Sequence, residues 1–281
     1  MVGIFVFIMK KKIAIQGFEG SFHQVAAEQF FTDVEVICCS TFREVVKIAT
    51  DKKESDGGIM AIENSIAGSI LPNYSLLQKS NLKIIGEVYL QIKQNLLVNP
   101  GIKLADIREV HSHPMALLQC LEYLEKHNWK LIETDDTALS AKHIHQHRSK
   151  HIAAIASRLA ADLYQLDVLA PNIHTLKNNY TRFLVLQHAD KVNHVENADK
   201  ASLIFNTDHS KGSLAKVLTK IADGDINLSK LQSMPIPGSD WKYSFHADLV
   251  FKTIDQFNKV IKNIEPLTED LKIYGIYKNG K

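Results

Sequence analysis

Cysteine is scarce in this chain: there are three in 281 residues, Cys38 and Cys39 adjacent and Cys120 far off. That spacing supplies neither a disulfide framework nor a set of metal ligands, and it fits a reducing, cytoplasmic setting in which the thiols are small buried hydrophobes. An excess of one charge is also missing. Thirty-three Lys and Arg stand against 31 Asp and Glu, a formal net charge of +2, too weak a field to make nucleic acid or an anionic membrane the main partner. A small molecule is the expected partner. Nor does the chain have a long apolar run. Ile4-Phe5-Val6-Phe7-Ile8 falls far short of the roughly 20 residues of a membrane span. It precedes its charges, Lys10-Lys11-Lys12, whereas a signal peptide has them first. Met9 is therefore the expected natural start, with residues 1–8 as an upstream extension.

What is present is a globular composition, 45% apolar and 23% charged, long enough for two domains with separate cores. The organising stretch is Asn178-Asn179-Tyr180-Thr181-Arg182-Phe183, running into Leu184-Val185-Leu186. Turn-forming polar residues lead into a buried strand, which places Thr181 where a loop meets a sheet edge. Similar junctions recur along the chain. Ile13-Ala14-Ile15 runs through Gly17-Phe18-Glu19-Gly20 to Ser21, the N-cap of a helix carrying Phe22, Val25, Ala26, Gln29 and Phe30. Such a glycine-opened helix start also suits a carboxylate or phosphate. Gly58–Ile62 ends in Glu63-Asn64-Ser65, and a helix follows from Asn73 through Leu77. A strand ending at Val110 precedes His111-Ser112-His113-Pro114, with Pro114 opening a helix through Leu117, Leu118, Leu121 and Leu124. Ile132 leads to Asp135-Asp136-Thr137 and a helix through Ile144; Ile152–Ala156 leads to Ser157 and another helix.

Repeated strand, polar junction and helix is the pattern of an open α/β sheet with its ligand site at the carboxyl ends of the strands. The junctions offer hydroxyls, amides and backbone N–H groups, with Arg182 and a few histidines as cations. This set suits an anionic substrate without metal or nucleotide. His143, His147 and His151 stand four residues apart and would share one face of a continuous helix, but no Cys or carboxylate completes a zinc set. They are expected on a solvated helix end.

From His188 to Lys200 the chain is polar and aperiodic, which marks a domain boundary. Beyond it come a strand at Leu203–Phe205, a helix carrying Leu214, Val217, Leu218 and Ile221 and stopped by Gly224, and a strand around Ile226 and Leu228. A Pro/Gly turn at 235–238, a strand over Tyr243–Leu249, a helix carrying Ile254 to Ile264 and a last strand at Leu271–Tyr274 complete the order. That order is βαββαβ, a ferredoxin-like unit.

Taken together, Gly17–Phe22, Ile62–Ser65 with Gly68-Ser69, Ser112–Pro114 with Gln119-Cys120, Asp136–Ala138, Ala153–Ser157 and Asn179–Phe183 resemble the prephenate dehydratase family, over nearly everything from Lys12 to Tyr277. The resemblance implies a catalytic domain over residues 10–190, built as two α/β lobes like a periplasmic binding protein, and an ACT regulatory domain over 200–281. It implies that prephenate loses water and carbon dioxide to give phenylpyruvate for phenylalanine biosynthesis, with no cofactor and no metal. By the same resemblance Thr181 serves the leaving hydroxyl. Asn64, Ser65, Ser112, Gln119 and Ser21 belong to the substrate cleft, Thr137 takes a substrate carboxylate and Phe183 packs near the ring. Arg182 either pairs with a carboxylate or is structural.

Phe18 and Met115 depart from the family pattern, where Pro and Gln are usual. In the ACT segment Gly212, Ser213 and Leu214 resemble an effector motif for phenylalanine. Gln232-Ser233-Met234-Pro235 replaces the family's Glu-Ser-Arg-Pro, which removes both charges and puts the effector's strength and identity in question. The family assembles as homodimers or homotetramers. Three alternatives stand beside this reading: an arogenate dehydratase acting on the amino-acid substrate, an exported two-lobed binding protein, and an inactive ACT-type amino-acid sensor. The last would be expected to have lost Thr181 or Asn64, and both are present.

Overall fold

The computed structural model describes residues 10–192, 195–236, 238–239 and 242–281. The expected start at Met9 and part of the turn at 235–238 lie outside the described residues. The chain forms β1 (Lys11–Gln16), α1 (Phe22–Phe30), β2 (Val34–Cys39), α2 (Phe42–Thr50), β3 (Gly57–Asn64), β4 (Gly68–Ser69), α3 (Leu71–Gln78), β5 (Leu82–Gln91) and β6 (Asn95–Val98). It continues through β7 (Glu109–Ser112), α4 (Pro114–Gln119), α5 (Leu121–Leu124), β8 (Lys130–Glu133), α6 (Thr137–Gln146), β9 (Ile152–Ala156), α7 (Arg158–Leu163), β10 (Asp167–Ala170) and β11 (Tyr180–His188). Last come β12 (Lys200–Asn206), α8 (Ser213–Asp223), β13 (Asn227–Pro235), β14 (Tyr243–Val250), α9 (Ile254–Ile264) and β15 (Glu269–Tyr277). Among the described residues the fold is mixed α/β with three sheets, and the chain divides into two compact units. One runs to Ile70 and resumes over Val88–Phe183; the other comprises Leu71–Glu87 and Leu184–Lys281.

Two sheets serve the first unit. One has the order β2-β1-β3-β11-β5 with β4 on β3, and β1 runs parallel to β2 and β3. The other has the order β10-β6-β9-β7-β8. Its β7 is parallel to β8 and β9, but β6 is antiparallel to both β9 and β10, so this sheet is mixed. Ala153 and Ile155 of β9 pack with Val110, Leu117 and Leu124 on one face, and Ala154 and Ala156 pack with Ala138, Ala141 and Ala160 on the other. With both faces covered, a strand reads as an unbroken apolar run.

Boundaries moved in three places. β7 continues past Val110 to Ser112, because it keeps pairing with β8 as far as Glu133. The helix expected from Pro114 to Leu124 breaks at Cys120, whose ψ of 10° leaves helical geometry, giving α4 and α5. α6 ends at Gln146 with His147 as its C-cap. His147 thus closes the helix with its ring 6.1 Å from that of His143, and His151 lies outside it. The Nδ1 atoms of His147 and His151 pair with the backbone oxygens of His143 and Asp106.

In the second unit the sheet order is β13-β14-β12-β15, with every pair antiparallel. One face carries Leu203, Phe205, Ala247 and Leu249 against Val217, Ile221, Phe257 and Val260 of the two helices. Gly224 does end α8, but at φ −84°; the left-handed residue is Asp225, at φ 56°. Lys200 forms an ion pair with Glu87 at 2.8 Å, both side chains being buried. Ser202 donates to Asp248 at 2.5 Å and lies 2.6 Å from the Tyr277 hydroxyl, while the His246 ring stands edge-on to Tyr74, 4.7 Å between centroids.

Candidate active site

The first unit has an open cavity of about 280 Å3. Its wall is made at the strand-to-helix junctions. Ser21 and His23 come from the start of α1, Asn64 from the end of β3, Gln119 from the end of α4, Asp136 and Thr137 from the start of α6, and Thr181 and Phe183 from β11. Local capping fixes several of these. The Ser21 hydroxyl accepts from Gln24 N, and Gln24 Oε1 accepts from Gly20 N at 2.8 Å, close to a reciprocal capping box. Asp136 caps α6 by accepting from Leu139 N at 2.9 Å. Nδ1 of His113 accepts from Met115 N and caps α4, with Pro114 at the first helical position as the sequence implies.

Gly17 and Gly20 hold the loop that brings Ser21 to the cavity. Gly17 has φ +97°, and a Cβ there would lie 2.7 Å from Asp136 Oδ2; Gly20 has φ +88°, and its Cβ would lie 2.8 Å from Ala160 Cα. Both the left-handed conformation and the close approach require glycine. The loop is tied down further by Ser157, which donates to Gly20 O at 2.5 Å, and by Tyr164, which donates to Glu19 O at 2.8 Å.

At the centre, Asn64 sets the direction of the Thr181 hydroxyl. Oδ1 of Asn64 accepts from Ile66 N and Ala67 N, each at 2.9 Å, which fixes the amide so that Nδ2 faces the other way. Nδ2 donates to Asn179 Oδ1 at 2.8 Å, to Thr181 Oγ1 at 3.0 Å and to Tyr180 O at 3.2 Å. Thr181 is only 9% exposed and lines the cavity. Its oxygen is thus occupied as an acceptor, and among the described residues none takes its proton. A buried hydroxyl in that condition is set up to donate to whatever fills the cavity.

No Lys or Arg is among the described residues that line the cavity. The imidazole of His23 stands edge-on to Phe183 at 5.0 Å and tilted to Phe42 at 5.5 Å, and its Nε2 is buried without a partner. Burial pulls its pKa down to about 3, so the ring is neutral at ordinary pH. Burial also pushes the Asp136 carboxyl up, partly offset by the N–H donors of Leu139 and Ala138.

Of the residues singled out in the sequence, Ser21, Asn64, Gln119, Thr137, Thr181 and Phe183 are brought together on this wall. Three are not. The Ser65 hydroxyl accepts from Tyr180 N and donates to Asn178 O, clasping the loop before β11. Ser112 is fully buried and donates to Ile155 O at 2.6 Å, between neighbouring strands. Arg182 is buried, with its guanidinium 5.9 Å from the Tyr89 ring centroid; it alternates with Thr181 and Phe183 along β11, and a strand sends successive side chains to opposite faces. Sequence reasoning missed His23, Gln94 and Asp136 as wall residues. His23 and Gln94 carry no local pattern that separates them from core or surface positions.

In the second unit Gly212 is the N-cap of α8 at φ +82°, and Ser213 donates to Asp208 O at 2.8 Å. Gln232 and Ser233 lie on β13, where the Gln232 amide donates to Ser233 O. Among the described residues no group of three or more His, Cys, Asp or Glu side chains is arranged to hold a metal ion, and no helix is long and apolar enough to cross a membrane.

Residues 13–191 match the family model described as prephenate dehydratase. The chain is 38% identical over 225 residues to arogenate dehydratase 2 of Petunia hybrida, covering 80% of this chain and 57% of that protein. It is 33% identical over 276 residues to the chloroplastic arogenate dehydratase/prephenate dehydratase 2 of Arabidopsis thaliana, covering 95% and 72%. Among solved structures, a prephenate dehydratase from Arthrobacter aurescens in complex with L-Phe is similar with a TM-score of 0.84 and 25% identity, over 96% of this chain and 90% of that one. A structure described as a novel type of quorum quenching acylase is similar with a TM-score of 0.87 and 27% identity, over 96% and 98%.

Proposed function

The chain belongs to the prephenate dehydratase family, and on that premise we propose that its cavity converts prephenate to phenylpyruvate, carbon dioxide and water for phenylalanine biosynthesis. In this reaction the electron pair of the breaking C–CO2 bond moves through the ring diene and expels the hydroxyl at the opposite carbon, so the ring becomes aromatic. The protein has little covalent work to do. What helps most is a hydrogen bond at the oxygen that gains negative charge as it leaves, since only interactions stronger in the transition state than in the ground state raise the rate.

The observation that carries this reading is the Thr181 hydroxyl, held as an acceptor by Asn64 with its proton left for the cavity. Thr181 donates to the departing hydroxyl as charge develops; its hydroxyl is too weak an acid for full transfer to dominate. The lack of a lining Lys or Arg suits the other leaving group. An ion pair to the ring carboxylate would stabilise the ground state and be lost as neutral carbon dioxide forms. Helix starts at Ser21 and Thr137, with their N–H groups, are the natural holders for the pyruvyl carboxylate. Phe183 and the neutral His23 ring offer an apolar wall for the six-membered ring. Ser65 and Arg182 act at one remove, by holding the loop and strand that carry Thr181.

Two α/β lobes of the periplasmic-binding type are supported by the two sheets of the first unit and by a wall that draws on elements from both. An ACT assignment for residues 200–281 is supported by the βαββαβ order and the antiparallel sheet, and a phenylalanine site by the glycine-opened start of α8 at Gly212, Ser213 and Leu214, with Gln232 and Ser233 on β13. That site takes the amino acid through backbone N–H groups rather than the absent charges. A homodimer or homotetramer in the cytoplasm completes the proposal. The test is turnover of prephenate, with arogenate alongside, by wild type, Thr181→Val and Thr181→Ser, each with and without L-phenylalanine. Thr181→Val is expected to lose about 10²–10⁴ in kcat, with most activity kept by Thr181→Ser. Wild-type turnover by Thr181→Val would remove Thr181 from the mechanism, and turnover indifferent to L-phenylalanine would remove the effector site.

A further inference from the structure

Beside the cavity, and sharing Met115 and Gln119 with its wall, the first unit has a second pocket of about 320 Å3. Its wall is apolar: Met115, Leu118 and Leu121 from α4 and α5, with Ile66 and Leu176 from loops. These side chains are exposed, Leu118 by 62% and Leu176 by 58%, which is costly for so many large hydrophobes in one place. Within the same wall are two polar groups that the protein leaves unsatisfied. His174 is 2% exposed and Asn179 is 0% exposed, and neither His174 Nε2 nor Asn179 Nδ2 has a hydrogen-bond partner.

Both groups are donors, and their orientation is fixed from behind. Nδ1 of His174 accepts from the backbone N–H of Gln94 at 3.3 Å, so the neutral ring carries its proton on Nε2; burial and the nearby Lys177 keep its pKa below the usual histidine range. Oδ1 of Asn179 accepts from Asn64 at 2.8 Å, which leaves the Nδ2 hydrogens on the other side. Two buried N–H donors without acceptors, in the wall of an apolar pocket, are a recognition pattern for an oxygen carried on an apolar body. The donors are neutral and no Lys or Arg is among the described residues that line the pocket, whereas the Glu122 carboxylate is. An anion would therefore be desolvated without a countercharge and repelled by Glu122. An amide avoids both difficulties, because its carbonyl accepts from His174 and Asn179 and its N–H donates to Glu122.

We propose that this pocket is a second ligand site, distinct from the cavity that holds Thr181, for an uncharged amide bearing an aromatic or branched apolar tail. Small shifts of the two side chains bring their N–H groups to the carbonyl. The site is one hydrogen bond from the reaction centre, since the amide that would bind the ligand is the one that Asn64 holds while it also holds Thr181. Occupancy therefore modulates turnover without competing with substrate. The inference stands on the pocket's own geometry, whatever the cavity's substrate proves to be.

The probe is 2-phenylacetamide, titrated into 15N-labelled full-length protein while the Asn179 side-chain amide and His174 Nε2–H resonances are followed. Saturable shifts of both are expected, with phenylacetate at least tenfold weaker, and with at least tenfold weaker amide binding in Leu118→Asp/Leu176→Asp, whose prephenate turnover remains that of wild type. Unmoved resonances, or equal binding of amide and carboxylate, overturn the proposal. If the double variant fails to fold, a crystal of the wild type soaked with the amide decides: density against His174 and Asn179 supports the site, and its absence refutes it. Should Leu176→Asp turn a dimer into a monomer while the amide leaves both resonances unmoved, the face is an interface between copies and the ligand site falls.

Discussion

Replacing Asn64 by Asp changes one atom and should reverse the hydrogen bond that directs Thr181. The Oδ1 contacts with Ile66 N and Ala67 N can persist, because a carboxylate oxygen accepts as an amide oxygen does. On the other side a donor becomes an acceptor. The bonds to Thr181 Oγ1, Asn179 Oδ1 and Tyr180 O are all lost, and the Thr181 hydroxyl turns to donate to the new carboxylate. Asn179 can recover one bond by flipping its amide. With the Thr181 and Asn179 bonds re-formed, one lost neutral hydrogen bond, that to Tyr180 O, sets a stability cost of roughly 1 kcal/mol. The catalytic cost is larger. Loss of one aimed donor at developing negative charge is worth about 10²–10³ in kcat, or roughly 2.7–4 kcal/mol, and KM should change little because the substrate's holders are elsewhere. Prephenate turnover read as phenylpyruvate absorbance in alkali, beside urea unfolding, separates the two effects. Asn64→Asp with kcat within about fivefold of wild type, far short of that expected loss, would refute the claim that Asn64 sets the hydroxyl's direction.

His23 gives a pH prediction. Folded, it stays neutral down to about pH 3; unfolded, it takes a proton near pH 6.5, so between those values the unfolded chain binds more protons and stability falls as pH drops. At pH 5 the loss is at most about 2 kcal/mol, and His23→Leu should flatten that part of the profile; parallel profiles would contradict the burial assigned to the ring. Lys200→Met should destabilise by about 3–5 kcal/mol in urea, because it removes this countercharge from a buried Glu87. Pairing it with Glu87→Leu should recover most of that loss. Gly20→Ala is expected to cost about 1–3 kcal/mol for its left-handed backbone alone and to lower turnover as well, since its Cβ meets Ala160; a neutral result would mean that the loop and α7 are not locked together.

The sequence by itself determined the local grammar. Ser21 and Ser157 were legible as helix caps because a cap depends on residues within one turn, and the apolar run of β9 was legible because both sheet faces are covered. Thr181, Asn64 and Phe183 could be placed at junctions on the same grounds, whereas Gln119 came only from the family resemblance. Whatever depends on pairing across long separations was hidden. Neither the antiparallel course of β6 nor the break at Cys120 has a local signature. Only the tertiary structure decided that Ser65 and Ser112 spend their hydroxyls on backbone oxygens while Thr181 keeps its proton for the cavity. A hydroxyl looks the same in any sequence, and its function depends on which acceptors the fold brings within about 3 Å. Asn64 and Thr181 lie 117 residues apart, and it is their meeting that aims the hydroxyl.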